Sequence, residues 1–476
     1  MNQVKKAVHY LLLIVGVMGL VSHHVSAGYS EANAKLKTTV LDKAIAPAKK
    51  VKRPKIGWAR YNEDWSVLKE LGNEKFFDPI KYIPFNEEGD IYLSLGGQAR
   101  QRVEVWNNFA FTSGNDDVFL LSRYQAHADL HVTKHVRFFA EGLYSHIPDS
   151  RDLPGGTRAA LDANEGELLN AFVDVFFELG DADITLRAGR QQFYFGKQRV
   201  LSALPWANNY RKWDGFSGEI KYDGWTVTPF FAWTVPTDKF NFDDIAGTSN
   251  TGNGASKIWG GYVSNKKYLD FYYIGRSSNG NTDSHLIGAL KSGKIGDTGF
   301  DYEIEGGIQF LDDSTNNDFA YMLGGHIGYT FEDFYAKPWV YTGVEVGSAS
   351  YDQVLPLGHA YYGYTDVLGR GNTIDWKAGL KFKPIDKLLI KVDHHMFFRE
   401  DSDASATTVA GGAFRGGATN GSSFIGNEVD VIAKYPILPY TSLLVGYSHF
   451  FAGDFIDDTG SADDIDFFYT QLMVRF

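Results

Sequence analysis

The chain has 476 residues, with 58 acidic against 46 basic side chains, a formal net charge of −12 and no cysteine. An acidic balance speaks against nucleic-acid partners, and the missing thiols exclude disulfide frameworks, thiol chemistry and thiolate metal sites. Aromatics at 15% and 51 glycines lean towards β-structure and turns.

Residues 1–27 read as a secretory signal peptide. Lys5 and Lys6 precede an apolar stretch from Ala7 to Val21, and Val25-Ser26-Ala27 offers a small-residue cleavage site. A stretch of about fifteen residues is short for a spanning helix, which needs roughly 20. Residues 28–56 are rich in Ala and Lys, lack an apolar period and read as a flexible periplasmic leader. Residues 57–89, with Trp58, Trp65 and Asp78-Pro79, read as an ordered lead-in.

From Asp90 to Phe476 the period is two. Candidate strands lie near 90–107, 117–133, 136–147, 168–179, 184–194, 214–222, 225–235, 257–265 and 267–276. Nine more follow near 283–291, 300–311, 319–331, 337–349, 374–383, 388–399, 424–434, 441–451 and 465–476. The connections 148–167, 195–213, 236–256, 350–373, 400–423 and 452–464 are long and polar, whereas Lys134-His135, Asp223-Gly224 and Lys266 are tight turns. Loop length alternates with strand parity, as expected for an all-β transmembrane antiparallel barrel of about 18 strands with short periplasmic turns and long extracellular loops. A soluble sandwich has no reason to sort its loops this way. The location implied is the outer membrane of a Gram-negative bacterium.

Charge on the lipid face costs about 2–4 kcal/mol per Arg or Lys at mid-bilayer, so the charged parity must face inward. That assigns Arg100, Arg102 and Glu104 to the lumen from the first strand, and Arg123, His127, Asp129 and His131 from the second. Arg137, Glu141, Asp174, Glu178 and Arg187 follow, then Asp301, Glu303 and Glu305, then Lys391, Asp393 and Arg399, then Glu428, Asp430 and Lys434. Arg190 breaks the alternation set by Arg187. It needs a bulge at Gly189 or a position above the membrane, where Lys197 and Arg199 also gather. In the last strand Phe468, Thr470, Leu472, Val474 and Phe476 share the lipid face. This strand is the expected handle for the barrel-assembly machinery, with outer-membrane lipids as the surrounding partner.

His127, Asp129 and His131 sit about 6.5–7 Å apart along one strand, too far for neighbours to close a metal site unaided. Hydrogen-bonded lumen packing is the simpler reading, and no metal or cofactor is expected. A hydrolase would need a serine beside a rim histidine, and no Gly-x-Ser-x-Gly elbow is present, so an enzyme is not expected. The acidic loop Asp454, Asp457, Asp458, Asp463, Asp464 could offer Ca²⁺ hard oxygens, but its spacing suits a solvated loop better.

Several segments in order resemble the alginate export family of outer-membrane barrels: Arg60-Tyr61-Asn62-Glu63-Asp64-Trp65-Ser66, Asp78-Pro79-Ile80-Lys81-Tyr82-Ile83-Pro84, Leu93 to Arg100, and His127 to His131. Arg187 to Gln192, Asn208 to Gly215, Asp393 to Arg399 and Gly426 to Tyr435 continue the likeness, which spans roughly residues 57–476. The resemblance implies eighteen strands and a lumen passing an anionic polysaccharide through a basic constriction. It would place Arg100, Arg102, Arg123, Arg187 and Arg190 at or near that constriction, with Lys391 and Arg399 opposite. The acidic composition runs against this unless the basic groups cluster at the narrow point. Two other readings stay open: an uptake or general porin for small solutes, and a plugged structural or adhesive barrel.

Overall fold

The structure, a computed structural model, describes residues 52–476 apart from 159, 243, 245, 247–255, 279–281, 314–316 and 416–420. The expected signal peptide and most of the leader therefore lie outside the described residues. Eighteen long strands run in chain order. They are β1 (Tyr92–Asn107), β2 (Asp117–Thr133), β3 (Val136–His146), β4 (Asn164–Leu179), β5 (Ala182–Gln191) and β6 (Trp213–Tyr222). Next come β7 (Trp225–Thr234), β8 (Lys257–Ser264), β9 (Asp270–Ser278), β10 (Thr282–Lys294), β11 (Phe300–Asp313) and β12 (Asn317–Thr330). The last are β13 (Trp339–Gly347), β14 (Thr373–Ile385), β15 (Leu388–Phe398), β16 (Phe424–Leu438), β17 (Thr441–Ala452) and β18 (Ile465–Arg475).

Each strand pairs antiparallel with the next, and β1 pairs with β18 from Gln98↔Arg475 to Asn107↔Asp466. The sheet is a closed barrel, so no strand edge is left for lipid to face unbonded. Phe138, Leu186, Phe216, Ile304, Ile327 and Trp376 are exposed on the outward parity, where hydrocarbon replaces water. The tight turns fall at one end. At Asp223-Gly224 both residues have positive φ, the two-residue hairpin geometry that matches strand twist. No helix among the described residues is long and apolar enough to cross a membrane.

Two of the long connections, 192–212 and 348–372, do not project outward. They fold into the barrel and bond to each other: Leu355 N donates to Val200 O at 3.0 Å, Ser202 N to Leu355 O at 2.9 Å, and Leu357 N to Gln198 O at 3.0 Å. Leu201, Ala203, Tyr210, Tyr351 and Val354 from these segments pack with wall residues Trp213, Tyr262, Tyr272 and Met322. A second apolar cluster joins Tyr361, Tyr362 and Leu368 to Phe119, Phe397, Phe450 and Tyr469. Part of the barrel interior is thus a packed core. The expectation that Lys197 and Arg199 sit above the membrane is corrected, because their connection buries its apolar side chains by turning inward.

At the short-turn end, residues 57–90 form short turns and helices, among them Arg60–Asn62, Trp65–Val67 and Asp78–Lys81, and one two-residue strand. Asp64 caps one by accepting from Ser66 N at 2.9 Å. Ile83 and Pro84 pair with Leu93 and Tyr92 of β1.

Candidate functional site

The lumen of a barrel is where strand parity gathers polar groups, and this one gathers three arginines on adjacent β1 and β2. Arg100, Arg102 and Arg123 are all at most 3% exposed. Arg100 donates to the Trp206 and Ala207 carbonyls at 2.9 and 3.0 Å and to Asn208 Oδ1 at 2.9 Å. Arg123 donates to Ala207 O at 2.6 Å and Pro205 O at 3.1 Å. Arg102 donates to Trp206 O at 2.8 Å, lies 4.0 Å from the Trp206 ring and pairs with Glu104 at 2.8 Å. The reason is backbone chemistry. An irregular segment inside a barrel has carbonyls that no ladder can satisfy, and a guanidinium carries five donors to supply them.

The same inward body is fastened on the far wall. Glu345 of β13 is fully buried and receives Arg199 at 3.0 Å, Arg370 at 2.7 Å and Lys377 at 3.1 Å. Arg199 also meets Glu305 at 2.7 Å and Glu303 at 2.9 Å, with the Tyr361 ring 4.4 Å away. Burial opposes the Arg199 charge, but Glu345 and the neighbouring groups more than offset it and hold the guanidinium firmly protonated. His359 stacks on Trp206 at 3.7 Å, joining the two inward segments where both sets of cations converge.

The remaining sequence-derived residues sit as follows. Arg187 donates to both oxygens of Asp174 at 2.8 and 2.9 Å, and Arg137 shares that carboxylate. Asp129 lies 3.5 Å from Arg137 and 3.4 Å from His131, while His127 stacks on Phe139. Glu141 accepts from Asn170 at 2.8 Å. Lys391 pairs with Asp393, which also accepts from Tyr341 at 2.7 Å. Glu428 accepts from the Thr365 backbone at 2.9 Å and hydroxyl at 2.6 Å, and Asp430 lies 3.6 Å from His395. Lys434 is exposed near the short-turn end of β16. Arg399 lies beyond β15 and donates to the carbonyls of Ala404, Gly421 and Ser422.

Arg190 keeps the outward parity. The β4–β5 ladder runs unbroken through Gly189, and the guanidinium binds Asp214, Glu167 and the Asp244 carbonyl of the 235–256 connection. Gly189 is needed there for another reason. Its φ is +127°, and a Cβ would meet Ala171 O at 2.3 Å.

Open space lies towards the short-turn end, in two cavities of similar size. One, of about 780 Å³, is lined by Arg137, Arg187 and Lys221 against Glu63, Asp64, Asp174, Glu219 and Asp270. The other, of about 760 Å³, is lined by Lys197, Lys294, Lys337, Lys381 and Lys383 against Asp301, Glu303 and Asp386. Lys197, at the tip of the inward 192–212 connection, is half exposed and stands 3.9 Å from Glu303. Lys381 lies over the Trp339 ring at 4.3 Å. Lys294 and Lys383 are exposed. Lys197 was named from the sequence only beside Arg190, and the other four lysines were missing from the sequence-derived set. The alternation Lys377, Lys381, Lys383 along 374–383 was a signal that could have found three lumen cations, Lys381 and Lys383 among them.

A profile described as alginate export matches residues 91–469. No curated protein matches the chain. Among solved structures, OccAB1 of Acinetobacter baumannii aligns with TM-score 0.58 and 11% identity over 84% of this chain and 99% of that one. The outer membrane protein OprD of Pseudomonas aeruginosa aligns with TM-score 0.55 and 14% identity over 81% and 93%. OccK2 (OpdF) of the same species, solved in complex with glucuronate, aligns with TM-score 0.54 and 11% identity over 81% and 98%. At such identities the likeness is one of fold.

Proposed function

The chain belongs to the alginate export family, and on that premise we propose that it is an outer-membrane channel for acidic saccharides, drawn in at the lysine-lined cavity near the short-turn end. The observation that carries this reading is the imbalance of that cavity, five lysines against three carboxylates, in a chain whose overall charge is −12. Hydrated ammonium groups on low-dielectric walls focus a field that concentrates anions. The arginines of β1 and β2 keep their charge, but their donors are committed to loop carbonyls and are not free to bond a passing anion.

A polymer and a small acid would use this cavity differently. The two inward segments leave less room than an unobstructed barrel, which favours single extended chains or small acidic solutes over bulky cargo. OccK2, crystallised with glucuronate, shares the fold and lends support to a uronate-sized acid. Planar-bilayer recordings with uronate oligomers of increasing length test the proposal. Current blockade that deepens with oligomer length and is absent for neutral oligomers supports a polysaccharide path. Blockade by monomers alone supports a small-solute porin. A channel that is silent, or equally blocked by neutral sugars, defeats the proposal. In the variant Lys294→Glu with Lys381→Glu, blockade should weaken by roughly tenfold as the steering field is lost.

A further inference from the structure

The segment Gly57–Trp65 is the one part of the lead-in that enters the 780 Å³ cavity, where Ala59, Tyr61, Asn62, Glu63 and Asp64 line the space. We infer that this segment is a releasable strap: docked, it narrows the entrance and holds the 192–212 connection inward, and its departure widens the channel.

Three anchors tie the segment to three places in the barrel. At the closing seam, Arg60 donates to Gly97 O on β1 at 3.1 Å and to Phe476 O beyond β18 at 2.6 Å. On the β3–β5 wall, Arg137 donates to the Tyr61 carbonyl at 2.9 Å, and the Tyr61 ring packs between Arg187 at 4.3 Å and the rings of Phe139 and Phe172. At the root of the inward connection, the Tyr61 hydroxyl donates to Gln192 O at 2.8 Å. A movement of Tyr61 therefore reaches that connection directly.

The strap is built to leave. It shares no strand ladder with the wall, so undocking breaks side-chain bonds and leaves the barrel closed. At its foot, Lys81 is 1% exposed and its ammonium has no hydrogen-bond acceptor among the described residues. Instead it stands 5.2 Å from the Trp65 ring, against Gly96 and His127 of the wall. A buried ammonium without an acceptor sets docking against a desolvation cost. Burial, first, and the Arg60 charge, second, depress its pKa to about 7, partly countered by Glu63.

The test uses the full channel in planar bilayers with potassium chloride, so it does not depend on the cargo. The variant Arg60→Ala with Tyr61→Ala removes the two seam bonds, the Tyr61 ring packing and the hydroxyl bond to Gln192, leaving only the Arg137 bond to the carbonyl at position 61. Conductance should step up above the parent level, because the strap lines one of the two entrance cavities and its departure widens that one. A variant that folds, judged by its heat-modifiable band in gels, yet conducts like the parent overturns the inference. Should that variant not fold, the absence of native cysteine allows a second measurement on Asn62→Cys, whose side chain is exposed in the cavity. A bulky maleimide added from the periplasmic side should react during undocking, trap the strap outside and step the conductance up. No reaction, or reaction with unchanged or reduced conductance, overturns the inference.

Discussion

The β1–β5 wall and the β10–β15 wall use cations in opposite ways. On the first, Arg100, Arg102 and Arg123 are dry and spend their donors on the Pro205, Trp206 and Ala207 carbonyls. On the second, Lys294 and Lys383 stay exposed, and Lys381 rides on an aromatic face. The difference follows from the groups themselves. A planar guanidinium is weakly hydrated and can bridge several fixed acceptors, whereas an ammonium is compact and keeps its water. Guanidinium does most of the holding of the folded-in connections, with Lys377 at the Glu345 hub as a buried ammonium beside it, whereas the exposed ammonium groups are free to meet a mobile anion. Positive charge in a pore is therefore no guide to selectivity until its bonding is known.

The division can be broken at its hub. Glu345→Ala would leave Arg199, Arg370 and Lys377 buried around a missing charge, at a cost of about 3–5 kcal/mol. The urea midpoint of the detergent-solubilised barrel should fall accordingly, and an unchanged midpoint would remove the far anchor of the inward body. Arg100→Ala with Arg123→Ala comes next. Each carbonyl left dry costs about 1–3 kcal/mol, and channel noise should rise as 192–212 loosens. Quiet, parent-like traces would mean these arginines hold nothing.

A smaller effect is expected from pH at the strap. Lys81 faces Arg60, Glu63 and Trp65 on the strap and His127 on β2, and its docked pKa of about 7 lies below the free value of 10.5. The undocked state binds more protons between these values, so docking strengthens as pH rises from 7 towards 10.5 and is weakest below 7. Protection of the strap from thermolysin, compared with Lys81→Met at each pH, should rise over that window only in the parent. A flat parent profile would remove Lys81 from the docking balance. Smallest of all is the stability change in Lys294→Glu, within about 0.5 kcal/mol as for exposed sites. Its reversal potential should nonetheless shift towards cations, and an unshifted value would erase the contrast between the two walls.

Much of this was legible in the chain. The segment 117–133 reads as a strand and is β2 to the residue, and the parity of loop lengths gave the closed wall. Strand β10 runs on to Lys294, beyond the expected end at 291, because glycine and serine there hide the period. Parity also placed Asp174, Arg187 and Glu428 inward. It could not say whether an inward charge meets water or another part of the protein. That depends on contacts such as Arg100 with Trp206, which are 106 residues apart. A clue did exist. Leu201, Ala203, Trp206 and Tyr210 make 195–213 too apolar for a surface loop, as Tyr361, Tyr362 and Tyr364 do for 350–373.

Phe476 completes the circle of strands. Its backbone exchanges hydrogen bonds with Gly97 at 2.9 and 3.1 Å, and its ring stacks at 4.4 Å on Phe77, which meets Tyr440 edge-on at 4.8 Å. Replacing Phe476 by alanine would take away the ring that meets Phe77 and loosen the lead-in from the junction that makes the cylinder, while leaving the backbone exchange with Gly97 in place.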